Sequence, residues 1–274
     1  MKIMPVLLCF ILIAARAGAK EKVYTASTPA GTVVRNFLGI VLSDSVDFIR
    51  WKIVLNDTAY QLYCNYGISK PNTAGFIGDG KKIELNGRLG EEKNYCVLWN
   101  GSKRLKMAVL NTNIFHVMDA DSHLLVGNGG WSYSLNRIAP VISNQAYSST
   151  AVSALKDSMV LEGRTPCQVP GIIAAGSTCY KLKWRIILYA NAAAGKPGTY
   201  IIFSTTFRKD GGKKGTWRID DKKNGQIIYQ LYDDKGNALL RLSKLDENIF
   251  AFTDASEKLL VGDEDFSYTL NRVK

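Results

Sequence analysis

Asn113–Arg137 reads NIFHVMDADSHLLVGNGGWSYSLNR, and Asn248–Arg272 reads NIFAFTDASEKLLVGDEDFSYTLNR. The two stretches are identical at 14 of 25 positions, at a constant offset of 135. A repeat of that length is a whole domain rather than a turn of a solenoid. The chain is therefore expected to hold one domain twice in tandem.

The match continues upstream. IRWKIVL at residues 49–55 aligns with LKWRIIL at residues 182–188. There Leu182, Trp184, Ile186 and Leu188 alternate with Lys183, Arg185 and Ile187, the period of two that marks a half-buried strand. Further strands are expected at Tyr60–Tyr66, Lys81–Leu85, Tyr95–Trp99, Leu105–Leu110, Ile114–Asp119 and Ser132–Arg137. Their counterparts are Tyr200–Phe207, Gly215–Asp220, Ile227–Tyr232, Ala238–Ser243, Ile249–Thr253 and Phe266–Arg272. An opening strand is expected near Leu38–Leu42 and at Met159–Gly163. Asn100-Gly101, Asp210-Gly211-Gly212, Asn224-Gly225 and Lys235-Gly236-Asn237 are hairpin signals, because Gly and Asn accept the positive φ of tight turns.

Each copy thus offers seven to eight short strands and no convincing helix. An antiparallel meander of that number closes into an up-and-down barrel, leaving no exposed edges. The expected fold is all-β: two tandem barrels at residues 32–138 and 158–274, joined by a Ser/Ala/Thr-rich linker at 139–157. Residues 20–31 look like a flexible lead-in, and Val152–Lys156 like a short helical turn.

The first residues, MKIMPVLLCFILIAARAGAK, have the layout of a secretory signal peptide. A lysine precedes the apolar run Pro5–Ala15, and cleavage is expected after Ala19, leaving a secreted or periplasmic protein. The run is too short to span a bilayer, so no transmembrane segment is expected. Loss of Lys2 and Arg16 lowers the net charge from +11 to +9. Those cations are scattered, without the basic stripe or recognition helix that a nucleic-acid partner requires. Four cysteines remain, an even number that in an exported chain points to disulfides. Two lie in each copy, so Cys64–Cys96 and Cys167–Cys179 are the expected pairs.

Glu162-Gly163-Arg164-Thr165-Pro166-Cys167, followed by Pro170-Gly171-Ile172, resembles the opening signature of the NlpE-like bacterial envelope proteins. Gly215-Thr216-Trp217 resembles the Gly-x-Trp strand of that family. The resemblance covers residues 158–272 and implies a lipocalin-like barrel in the bacterial envelope. Family members linked to copper homeostasis and envelope stress carry a Cys-x-x-Cys pair in the opening loop. Here Cys167-Gln168-Val169-Pro170 lacks the second thiol, so metal binding does not carry over.

Nothing in the chain assembles a catalytic set, and no cofactor is expected. His116 and His123 are replaced in the second copy by Ala251 and Lys258. Asp263, Glu264 and Asp265 fall in a turn where the first copy has Asn128-Gly129-Gly130. No metal site is expected either. Trp51 and Trp184 recur in one strand, and Arg137 and Arg272 end another. Their expected role is structural, each tryptophan packing under an arginine to close its barrel floor. Ligand selectivity is expected in the loops Asn65–Gly80 and Asn191–Thr199, which differ between copies. The function expected is an exported binding module for a small apolar ligand or an envelope protein. The alternatives are copper handling or envelope stress, and a tandem interaction module without a cavity.

Overall fold

The fold is that of a computed structural model, which describes residues 21–92, 94–143, 147, 157–173, 179–191, 196–207, 211–221 and 225–273. The signal peptide, most of the linker with its Val152–Lys156 turn, and part of the 191–199 loop lie outside the described residues.

Each copy closes into an antiparallel barrel of eight strands. The first comprises β1 (Lys22–Pro29), α1 (Thr32–Leu38), β2 (Phe48–Leu55), β3 (Ala59–Gly67), β4 (Lys81–Glu92), β5 (Tyr95–Asn100), β6 (Lys103–Asn111), β7 (Ile114–Val117) and β8 (Ser134–Arg137). The second comprises β9 (Ser158–Thr165), β10 (Leu182–Asn191), β11 (Lys196–Ser204), β12 (Lys213–Asp221), β13 (Ile227–Tyr232), β14 (Ala238–Lys244), β15 (Ile249–Phe252) and β16 (Thr269–Arg272). Neighbours in sequence are neighbours in the sheet, and β8 and β16 close back onto β1 and β9. Inward residues such as Tyr60, Leu62 and Cys64 are buried while Gln61 and Tyr63 face out, so the period of two builds the core.

The opening of the first copy differs from expectation. Residues 22–29 are no flexible lead-in but strand β1, paired with β2 from Lys22↔Leu55 to Pro29↔Phe48. Its inward positions include Ala26, small because the Trp51 indole lies opposite, and its small polar residues hide the strand pattern. Leu38–Leu42 is not a strand. Val34, Phe37 and Leu38 have helical spacing and are buried as the inner face of α1, which ends on Gly39 at φ 74°. This short helix packs over one end of the barrel. In the second barrel the same place is taken by Pro166–Ile173, with Val169 and Ile172 buried in the core. Cys167 and Cys179 are bonded, Cα–Cα 5.9 Å, and staple that segment between β9 and β10.

Cys64 and Cys96, by contrast, are free and buried. They face opposite ends of one barrel: Cys64 pairs with Ile83 of β4, and Cys96 with Glu91 of the same strand. Eight positions of extended chain is roughly 26 Å, far beyond the Cα separation of about 7 Å that a disulfide tolerates.

The barrels pack against each other through the most strongly repeated stretch. Asn271 Oδ1 accepts from Gly127 N at 2.6 Å, and Asn136 Oδ1 accepts from Gly262 N at 2.9 Å. These two contacts exchange under the offset of 135. Ser132 meets its own counterpart Ser267 at 2.5 Å, and Ser134 meets its counterpart Thr269 at 2.8 Å. Beside them Leu110, Ile114, Met118 and Leu124 form one buried cluster with Leu245, Ile249 and Ala251. A surface that contacts its own repeat residue for residue is isologous, so the molecule has the symmetry of a fused dimer.

Candidate functional site

At the end away from α1, the first barrel opens into a cavity of about 780 Å3. Its walls are Tyr24, Leu55, Leu89, Cys96, Val109 and Phe115, and its rim carries Lys22, Asp57, Glu91, Glu92 and Arg137. The Tyr24 ring stacks on Phe115 with centroids 4.4 Å apart, and its hydroxyl donates to Thr112 O at 2.9 Å. Burial raises the Tyr24 phenol to about 12, with Arg137 opposing. The Cys96 thiol also rises to about 12, through burial first and then Glu91. It is therefore a neutral wall residue rather than a nucleophile or soft metal ligand.

The second barrel fills the equivalent space. Gly87 and Gly215 are matched positions, because each lies under a tyrosine hydroxyl that would approach a Cβ there to 2.7 Å. Two residues on, Leu89 in the first barrel corresponds to Trp217 in the second. Cys96 pairs with Met107, and Tyr229 with that residue's repeat Leu242, so Cys96 corresponds to Tyr229. Trp217 stacks on Tyr229 at 5.3 Å and Tyr229 meets Phe250 edge-on at 5.1 Å, all three buried. The Trp217 indole donates to Tyr189 O at 2.9 Å. Replacing two of the three aromatic rings by leucine and cysteine opens the first barrel.

The structure separates the tryptophan–arginine pairs expected from sequence. Trp51 and Trp184 lie toward the plugged ends, where each indole donates to a threonine hydroxyl, Thr28 or Thr165, at 2.8 Å. Arg137 lines the open mouth, and Arg272 lies near Tyr229 at the matching end of the other barrel. The floor is closed by a hydrogen bond to the first strand, not by a cation over a ring. The recurrent Thr28-Pro29 and Thr165-Pro166 dipeptides carried that signal.

His116 is fully buried at the barrel interface, with Nδ1 2.9 Å from Ser134 Oγ and Nε2 2.9 Å from Leu125 O. Burial lowers its pKa to about 4, so it is neutral. Asp119, Asp121 and His123 converge at the surface within 4.8 Å. Asp119 accepts from the His123 backbone N–H, as Asp254 does from Lys258 in the second copy, which makes this a turn held by its aspartate. The Asn65–Gly80 loop lies at the plugged end, away from the cavity, and the described part of 191–199 contributes nothing to it. Asp263 accepts from the backbone N–H of Asp265 and of Phe266, and Asp265 pairs with Arg50 across the interface.

Among the described residues, no helix is long and apolar enough to cross a membrane. Comparison of the chain with protein-family models, with curated proteins and with solved structures finds no match.

Proposed function

We propose that this protein is an exported, non-enzymatic binding module that takes a small, mainly apolar ligand in the mouth of the first barrel. The observation that carries the reading is the contrast between the two mouths. One fold, one chain and one repeat give a barrel filled by Trp217, Tyr229 and Phe250 and a barrel left open at Leu89 and Cys96. A binding site is a concave, mostly apolar surface with a few polar groups that fix orientation. Here Lys22 and Arg137 can receive an acceptor group, and Glu91 and Glu92 a donor.

The export reading rests on the signal-peptide layout of the first nineteen residues and on the Cys167–Cys179 bond, which suits an oxidising compartment. The periplasm of a bacterium is the compartment that the NlpE-like resemblance favours. Copper handling is the weaker reading: Cys167 is tied up in the disulfide, and Cys64 and Cys96 are buried at opposite ends of their barrel.

The test copies the second barrel into the first. A neutral fluorescent probe such as N-phenyl-1-naphthylamine should bind the wild type saturably. Leu89→Trp should abolish that binding while the far-ultraviolet spectrum stays that of a barrel. Undiminished binding in Leu89→Trp would remove the cavity as the site.

A further inference from the structure

A second pocket, of about 120 Å3, opens at the outer end of the seam between the barrels. It straddles the same pseudo-twofold relation as the interface. Phe48 and Lys181 each stand three residues before the recurring strand tryptophan of their copy, and Trp131 and Phe266 are repeat partners. All four line this pocket. Here, though, the copies have diverged. The first barrel supplies a stack in which Phe48 lies between Phe76 at 4.2 Å and Trp131 at 4.7 Å. The second adds two cations to the first barrel's Arg50 and Lys70: Arg164 stands 5.4 Å over the Trp131 ring, and Lys181 5.4 Å over Phe266.

The charge is not balanced. Four cations, Arg50, Lys70, Arg164 and Lys181, line the pocket with one carboxylate, Asp265, which is engaged by Arg50, while Asp263 and Glu264 lie behind it. Among the described residues neither Arg164 nor Lys181 has an ion-pair partner. Arg50 Nε is buried without a hydrogen-bond partner. Burial and then the neighbouring Arg164 and Lys183 lower the Lys181 pKa, and Asp265 opposes them only in part. Arg164 and Lys181 are half-buried, and crowding such cations at one pocket costs free energy that a bound anion would offset.

We infer that the seam pocket is an oxyanion site, taking a phosphate or sulfate group, free or esterified, between Arg164 and Lys181. Arg164 stands 5.4 Å over the Trp131 ring at the pocket wall, and a guanidinium can donate in the forked geometry that tetrahedral oxyanions accept. Lys181 adds a point charge from the residue just before β10. The site is independent of the barrel mouth.

The test is calorimetric titration of the full-length mature protein with inorganic phosphate and with sulfate, at pH 7 and low ionic strength, against chloride at matched strength. Saturable one-to-one binding is expected for both oxyanions and not for chloride. Arg164→Gln and Lys181→Gln should each weaken it by about tenfold or more, the loss of one charge-assisted contact. Arg218→Gln, on the outside of the second barrel, should leave it unchanged. Leu89→Trp should also leave it unchanged, so failure of the mouth as a ligand site and failure of the seam as an oxyanion site are separable. Phosphatidylglycerol in phosphatidylcholine vesicles provides the esterified source. Retention on vesicles that both substitutions abolish, without binding of free phosphate, would assign the site to a lipid headgroup. Absence of saturable binding to either source, or binding that survives both substitutions in folded protein, would overturn the proposal.

Discussion

His116 shows how one residue departs from its repeat without breaking the fold. It sits where the second copy has Ala251, and fills the extra space by bonding Ser134, which in turn meets Thr269 of the other barrel. Thr269 continues to Ser267 and Ser132, so a buried chain of hydroxyls crosses the interface from this ring. The imidazole must stay neutral there. Its folded pKa of about 4 lies below the unfolded value of about 6.5. Above pH 6.5 neither state takes the proton. As pH falls from about 6.5 to about 4, only the unfolded chain takes it, and stability drops by roughly 3 kcal/mol. Denaturant melts of wild type and His116→Gln across this window should show that slope in the wild type alone. Parallel pH profiles would mean that His116 titrates normally in the fold.

At the scale of elements, the strands were legible wherever branched and aromatic residues alternate with charge, as in Leu182–Leu188. They were hidden where the partner strand dictates a small residue. Ala26 and Gly163 face Trp51 and Trp184, so the first strand of each barrel has little side chain at its centre. The short helix escaped because only Val34, Phe37 and Leu38 need the helical spacing, and Gly39 stops it at once. The mouth was not legible because the repeat offset drifts there. It is 135 in the last strands but 128 between Gly87 and Gly215, so Leu89 and Trp217 do not fall opposite each other in a simple alignment. The two plugs invite a direct comparison. Barrel one uses a helix, and barrel two uses an irregular segment closed by the Cys167–Cys179 bond across a separation of 12 residues. Loop-closure entropy puts that bond at about 3 kcal/mol. The double substitution Cys167→Ser, Cys179→Ser should lower unfolding free energy by about that amount in urea melts. An unchanged midpoint would show that Val169 and Ile172 hold the plug unaided.

The whole molecule explains why residues 113–137 and 248–272 are the best-preserved repeat. In an isologous interface each copy presents the same patch, so Asn136 and Asn271, or Leu110 and Leu245, serve both roles at once. A change in one copy must suit the partner copy as well. Residues facing a mouth or the outer seam carry no such constraint, and there the copies differ: Leu89 against Trp217, Phe48 against Lys181. Sequence alone exposed the repeat and the barrels but suggested two independent modules on a linker. The pairing of a residue with its own repeat is a tertiary fact, and only the structure displays it. The start of the linker is fastened to the first barrel, since Asn113 clasps Val141 through both its amide nitrogen, at 2.7 Å, and its amide oxygen, at 2.8 Å.

Cutting the linker is the most direct measurement of this account. A protease recognition sequence inserted between Ser148 and Ser149 would allow the folded protein to be cleaved and passed over a sizing column at micromolar concentration. The interface described here predicts that the two fragments, separate on a denaturing gel, elute together with the mass of the intact chain. Elution as two free barrels would contradict it, and the repeat would then be two modules on a tether.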